Sequence, residues 1–249
     1  MSGGTILGLR VDNLTLTQAV EFLLAHCRGE SQELLQVVTL NPEMVVRAQR
    51  DEKLAAVINS AGLVVPDGIG VVWGLGQLGT PVLERVPGVE LVERILAQGA
   101  ETLGRALRVF LLGAAPAVVP EAAQAVREKF SGVEVVGFHH GYFTPAEEKK
   151  IVQVISAQAP DLLLVGLGSP YQELWIDYHR NELKAKVGIG VGGTLDVLAG
   201  RVSRAPLGWR KLGLEWLYRL LQNPSRLSRM LALPRFVLMV MAEKYRKQR

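Results

Sequence analysis

The chain has 249 residues, 49% hydrophobic and 21% charged, enough apolar material to bury one large core or two small ones, which makes it a folded, soluble-type protein. No stretch approaches the roughly 20 apolar residues that span a bilayer, and the N-terminus MSGGTILGLRVDNLT lacks a basic segment followed by a long apolar run, so a cytoplasmic location is expected. The net charge of +4 is uneven: from Ala205 onward ten Lys/Arg face only Glu215 and Glu243, a balance of +8 that leaves −4 for the first 204 residues.

ILGLRV predicts a short strand or hairpin, and Asn13-Leu14-Thr15 supplies cap residues for a helix through Val20, Phe22 and Leu23. LLQVVTL predicts a buried strand with Thr39 and Asn41 at its end, and Pro42 opens a helix where its missing N–H costs nothing. Residues 63–73, LVVPDGIGVVW, read as a buried strand that stops at Pro66 and delivers Asp67 into a turn at Gly68 before a helix. The spacing of Val89, Leu91, Val92, Ile95 and Leu96 predicts a helix over Gly88–Leu103, and RVFLLGAAP a strand ending in a Gly113 turn. Residues 118–130, VEVVGFHHG, residues 145–157, DLLLVGLGSP, residues 172–181 and VGIGVGG continue as helix, strand, helix, strand, helix, strand. Such alternation predicts an α/β fold, a Rossmann-like doubly wound and mostly parallel sheet over residues 1–204, followed by a C-terminal helical amphipathic appendage over residues 205–249.

In an open α/β sheet ligands sit beyond the carboxyl ends of the strands, so Asp67 is a candidate general base; the competing explanation is that it caps the following helix. Gly113, Gly166-Leu167-Gly168 and Gly190-Val191-Gly192-Gly193 would let backbone N–H groups approach phosphate oxygens, or simply satisfy tight turns. None forms a G-x-G-x-x-G, so the nicotinamide fingerprint is missing. In GSPYQELWIDYHRNE, Gln172 opens a helix at the same sheet edge with both a donor and an acceptor for sugar hydroxyls or a uracil edge. Trp175 reads as a core residue, and Glu173 as a first-turn acid favoured by the helix dipole.

A single Cys27 excludes an internal disulfide, and His26, His139, His140 and His179 form no HExxH pair or Cys/His cluster. The chain also contains no D-x-D motif for holding a diphosphate through a metal, so neither metal nor cofactor is expected and arginines must neutralise such a group. The tail reads as two amphipathic helices separated near Pro224, with Arg219, Arg226 and Arg229 near one face if helical geometry persists across the break. Arg/Lys interleaved with Trp, Phe and Leu suits a membrane interface better than nucleic acid.

Taken together, Thr39-x-Asn41-Pro42-Glu43, Pro66-Asp67-Gly68, Arg85 with Gly88, Gly166-x-Gly168-x-Pro170-x-Gln172-Glu173-x-Trp175, Gly192-Gly193-x-x-Asp196 and Arg204-Ala205-Pro206 give a pattern over almost the whole chain. It resembles the TagA/WecG/CpsF family of bacterial glycosyltransferases, glycosyltransferase family 26. One departure is Val86-Pro87 after Arg85, where the pattern carries a polar residue, often Thr, before the Gly. The resemblance implies inverting transfer of N-acetylmannosamine from UDP to the C4 hydroxyl of N-acetylglucosamine on undecaprenyl diphosphate, toward wall teichoic acid linkage units. It implies Asp67 as base, Thr39, Asn41 and Gln172 as sugar contacts, and Arg85 as the basic side chain of the site. Gly113, Gly168, Gly192, Gly193, Asp196 and Arg204 complete the expected substrate-binding set, and Arg219, Arg226 and Arg229 the groups that stabilise the leaving diphosphate. Expected partners are the UDP-sugar, the polyprenyl-linked acceptor and the inner face of the cell membrane; the oligomeric state stays open, a homodimer included. Other UDP-sugars, such as the uronic acid form, and a non-catalytic nucleotide-sugar-binding scaffold remain as alternatives.

Overall fold

The computed structural model describes residues 3–31, 33–206, 208–209, 215–222 and 231–248, without the side chains of Glu215, Arg219 and Gln222. Strands β1 (Gly3–Ile6) and β2 (Leu9–Asp12) form an antiparallel hairpin of their own. The main sheet holds β3 (Leu35–Leu40), β4 (Leu63–Pro66), β5 (Leu107–Gly113), β6 (Val133–His139), β7 (Leu162–Gly166) and β8 (Val187–Gly190). Its spatial order is β4-β3-β8-β7-β5-β6, and every neighbouring pair is parallel.

The near-continuous apolar runs of these strands follow from helices on both faces of the sheet. Leu107, Val109 and Leu111 of β5 pack in one cluster with α1 (Leu16–Arg28), α5 (Gly88–Leu103) and α6 (Val119–Lys129). The alternate residues Phe110 and Leu112 point the other way, toward α7 (Pro145–Gln158) and α8 (Tyr171–Tyr178). Local signals set the helix starts: Thr15 and Gln18 form a capping box on α1, as do Thr144 and Glu147 on α7. The helix expected over residues 172–181 ends at Tyr178, which is 78% exposed, whereas Trp175 is buried and its Nε1 donates to Glu148 Oε1 at 2.6 Å.

A third cluster joins the hairpin, the β3 and β4 side chains Val38, Leu40 and Val64, and the helices α2 (Pro42–Ala48), α3 (Glu52–Ser60) and α4 (Ile69–Gln77). Beyond β8 come α9 (Thr194–Leu198), α10 (Glu215–Gln222) and α11 (Ala232–Lys247). Phe236 and Val240, one turn apart on α11, are buried in this third cluster. Gly74 of α4 provides the seat, since a Cβ there would lie 3.0 Å from Phe236 Cζ and 2.7 Å from Ile6 Cδ1. Lys244 Nζ adds a hydrogen bond to Gln77 Oε1 at 2.8 Å.

Candidate active site

A cavity of about 540 Å³ opens at the carboxyl ends of β3, β4 and β8, within the range of small-molecule sites. Asp67 reaches it because β4 ends at Pro66: the Asp67 N–H donates to Leu40 O of β3 at 2.8 Å, and Val86 N–H donates to Pro66 O at 2.9 Å. Gly68 turns the chain with φ +97°, a conformation open to glycine, and occupies the N-cap position of α4. Asp67 therefore stands one residue outside that cap, half-buried on the cavity wall.

Thr39, Asn41 and Arg85 line the same cavity. Thr39 is buried, and its hydroxyl lies 3.5 Å from Gly190 O. Asn41 has a second task, since its Oδ1 accepts from Met44 N–H at 3.1 Å and caps α2. Glu43, in the first turn of α2, places a second carboxylate on the wall. Sequence reasoning quoted Glu43 in a motif without giving it a role, although it shares a strand end with Thr39. Thr194, Trp73, Trp216, Phe236 and Val237 complete much of the wall, and the last three come from helices far along the chain.

Other expected contacts stand apart from this cavity. Gln172 is 4% exposed and its amide is spent inside the protein. Oε1 accepts from Gly168 N–H at 3.2 Å and Gly192 N–H at 3.0 Å, while Nε2 donates to Glu173 Oε1 at 2.7 Å. Gln172 thus staples the loops after β7 and β8 together, and the Gly168 and Gly192 amides point at Gln172. Burial pushes the Glu173 carboxyl above its ordinary range, opposed by hydrogen bonds from Gln172 and Ser169. Gly113 has a steric reason, because a Cβ at its φ of +130° would sit 2.4 Å from Gly166 O. Gly193 is the N-cap of α9, and the Asp196 carbonyl accepts from Arg201 and Val202 N–H. Arg204 is paired with Glu90 at 2.7 Å and Glu93 at 3.2 Å, so its charge clamps the chain onto α5. Arg226, Arg229 and the side chain of Arg219 lie outside the described residues.

The staple carries a stability prediction. Gln172→Leu would remove the acceptor of two part-buried N–H groups and one of the donors to the buried Glu173 carboxyl, at up to about 1–3 kcal/mol for each group left unpaired. Thermal denaturation should show a loss of several degrees with or without ligand; an unchanged midpoint would mean that the loops hold without it.

Chemically, the cavity joins carboxylates, an arginine, a hydroxyl and an amide to an apolar wall. Cys27 offers no nucleophile: it is buried against the Asp161 carbonyl, and desolvation pushes its thiol up to about 12. Among the described residues no group of three or more His, Cys, Asp or Glu is arranged to hold a metal ion.

A profile described as "Glycosyl transferase WecG/TagA/CpsF family" matches residues 4–249. Relatives from Staphylococcus aureus strains MW2 and NCTC 8325 / PS 47 are 38% identical over 232 residues, 93% of this chain and 89% of each relative. Both are named N-acetylglucosaminyldiphosphoundecaprenol N-acetyl-beta-D-mannosaminyltransferase. With a family match over nearly the whole length and relatives this similar, the chain belongs to the WecG/TagA/CpsF family of glycosyl transferases.

Proposed function

We propose that this chain transfers N-acetylmannosamine from a UDP donor to the C4 hydroxyl of N-acetylglucosamine carried on undecaprenyl diphosphate, with inversion, in the synthesis of wall teichoic acid linkage units. The relatives' names supply the sugar and the acceptor. The observation that carries the reading is Asp67, a carboxylate at a parallel-strand end, on one cavity wall with Arg85, Thr39 and Asn41. In this mechanism the Asp67 carboxylate takes the proton of the acceptor hydroxyl. The oxygen of that hydroxyl attacks the anomeric carbon from the face opposite UDP, the bond to the UDP oxygen breaks, and UDP departs. Arg85 offsets negative charge in the site, joined by Arg219, Arg226 and Arg229 of the basic tail. Thr39 and Asn41 hold sugar hydroxyls, and Gln172 acts through the loops that it braces.

The protein works as a peripheral enzyme at the inner face of the membrane. No helix of the described residues is long and apolar enough to cross a bilayer. The +8 balance of residues 205–249 favours an anionic surface, each Lys or Arg contributing about 1 kcal/mol there.

The test is UDP release from UDP-N-acetylmannosamine, the uronic acid analogue and UDP-hexoses, each with a short-chain N-acetylglucosaminyl diphosphate lipid. Release should be fastest with UDP-N-acetylmannosamine. It should persist in EDTA, because the sequence lacks a D-x-D and no three His, Cys, Asp or Glu of the described residues are grouped to hold a metal ion. Activity lost in EDTA and restored by manganese would overturn metal independence, and preference for another donor would reassign the sugar.

A further inference from the structure

The Asp67 cavity has two walls of opposite character. The strand ends supply polar groups, whereas α4 and α11 supply Ile69, Trp73, Phe236 and Val237. Ile69, Trp73 and Val237 remain 48%, 37% and 42% exposed around this one opening, while Phe236 lies beneath them at 1%. Phe236 meets the Trp73 ring at 6.5 Å with the planes tilted by 56°. Apolar side chains gathered from two helices around one opening mark a binding surface more than the scattered exposure of single residues does. The polar wall cannot satisfy a hydrocarbon, and the apolar wall offers a sugar hydroxyl little beyond the indole N–H of Trp73. A ligand that uses both must itself change character along its length.

We infer that the α4/α11 wall holds the first isoprene units of a polyprenyl diphosphate acceptor, with the diphosphate between this wall and the Asp67 end. This rests on the acceptor proposed above, but assigns it a subsite that the transfer chemistry does not require. Gly74 is part of the device, because Phe236 can lie close against α4 only where no Cβ intervenes, leaving Ile69 and Val237 as the rims of a groove. The mouth of the groove then faces the bilayer from which the lipid is drawn.

Binding can be read without transfer and without vesicles. The full chain is titrated by calorimetry with farnesyl diphosphate, methyl diphosphate and UDP. Farnesyl diphosphate should bind at least about ten-fold tighter than methyl diphosphate, as expected for burying one or two branched five-carbon units. Ile69→Ser and Val237→Ser, both at exposed positions that should tolerate the change, should each remove most of that advantage and leave UDP affinity unchanged. Equal affinity for the two simple diphosphates would overturn the inference. So would variants that weaken UDP and spare farnesyl diphosphate, since the wall would then serve the uracil ring. A chain that binds farnesyl diphosphate in this way but transfers no sugar would refute the proposed reaction and leave the lipid subsite standing; active transfer with equal affinities would do the reverse.

Discussion

Asp67→Asn should retain donor binding and lose about two to four powers of ten in turnover, the span expected when a positioned general base is removed. The substitution keeps the side chain's size and its hydrogen-bonding reach while removing its capacity to take a proton. The backbone that positions it should be undisturbed, because the residue is held by main-chain bonds from Asp67 N–H to Leu40 O and from Val86 N–H to Pro66 O. Glu43 is the natural competitor, being the other carboxylate among the described residues of the cavity wall. It reaches the cavity from the first turn of α2, whereas Asp67 reaches it from the end of β4. Glu43→Gln measured beside Asp67→Asn separates the two. Near-normal turnover in Asp67→Asn with collapse in Glu43→Gln would transfer the role to Glu43.

Phe236→Ala should cost about 3–5 kcal/mol, a large share of the roughly 5–15 kcal/mol that holds a domain together. Phe236 is among the largest fully buried side chains, and its seat is made by Gly74 and Trp73 of α4, whose helix cannot easily collapse into the space. Chemical denaturation of the full chain should show a lower midpoint with little change in slope. The apolar wall of the cavity would be lost as well, so turnover on lipid-linked acceptor should fall even where the protein stays folded. A cost below about 1 kcal/mol would mean that α11 contributes little to the core in solution. Gly74→Val attacks the same contact from the other side, since its first carbon already falls 2.7 Å from Ile6 Cδ1.

The strands were legible because a parallel sheet covered on both faces writes itself as continuous apolar runs, as in LVVP of β4 and LLLVG of β7. Helix α5 was legible to the residue because Val89, Leu91, Val92, Ile95 and Leu96 trace one buried stripe. Helix α3 went unread, being short, although Asp51 caps it by accepting from Leu54 N–H at 3.0 Å. Asp67, Thr39 and Asn41 could be gathered from sequence because strand ends of a parallel sheet share one edge, whereas Arg85, between α4 and α5, is reached only through the family resemblance. Gln172 could not be resolved in that way. An amide at that edge reads as a ligand contact, and only the meeting of the loops after β7 and β8 shows where its hydrogen bonds go. Arg204 is similar: its carboxylate partners Glu90 and Glu93 lie on a helix more than a hundred residues earlier. The seating of Phe236 on Gly74 has no local signature at all, since both are unremarkable within their own helices.

The most direct test of the account is the structure of the product. The purified chain, mixed with UDP-N-acetylmannosamine and a short-chain N-acetylglucosaminyl diphosphate lipid, should yield a disaccharide joined through the C4 hydroxyl with inverted anomeric configuration, as read by NMR. The parallel reaction with Asp67→Asn should yield almost none. A retained configuration, or the same product at the same rate from Asp67→Asn, would contradict transfer by a base at the end of β4.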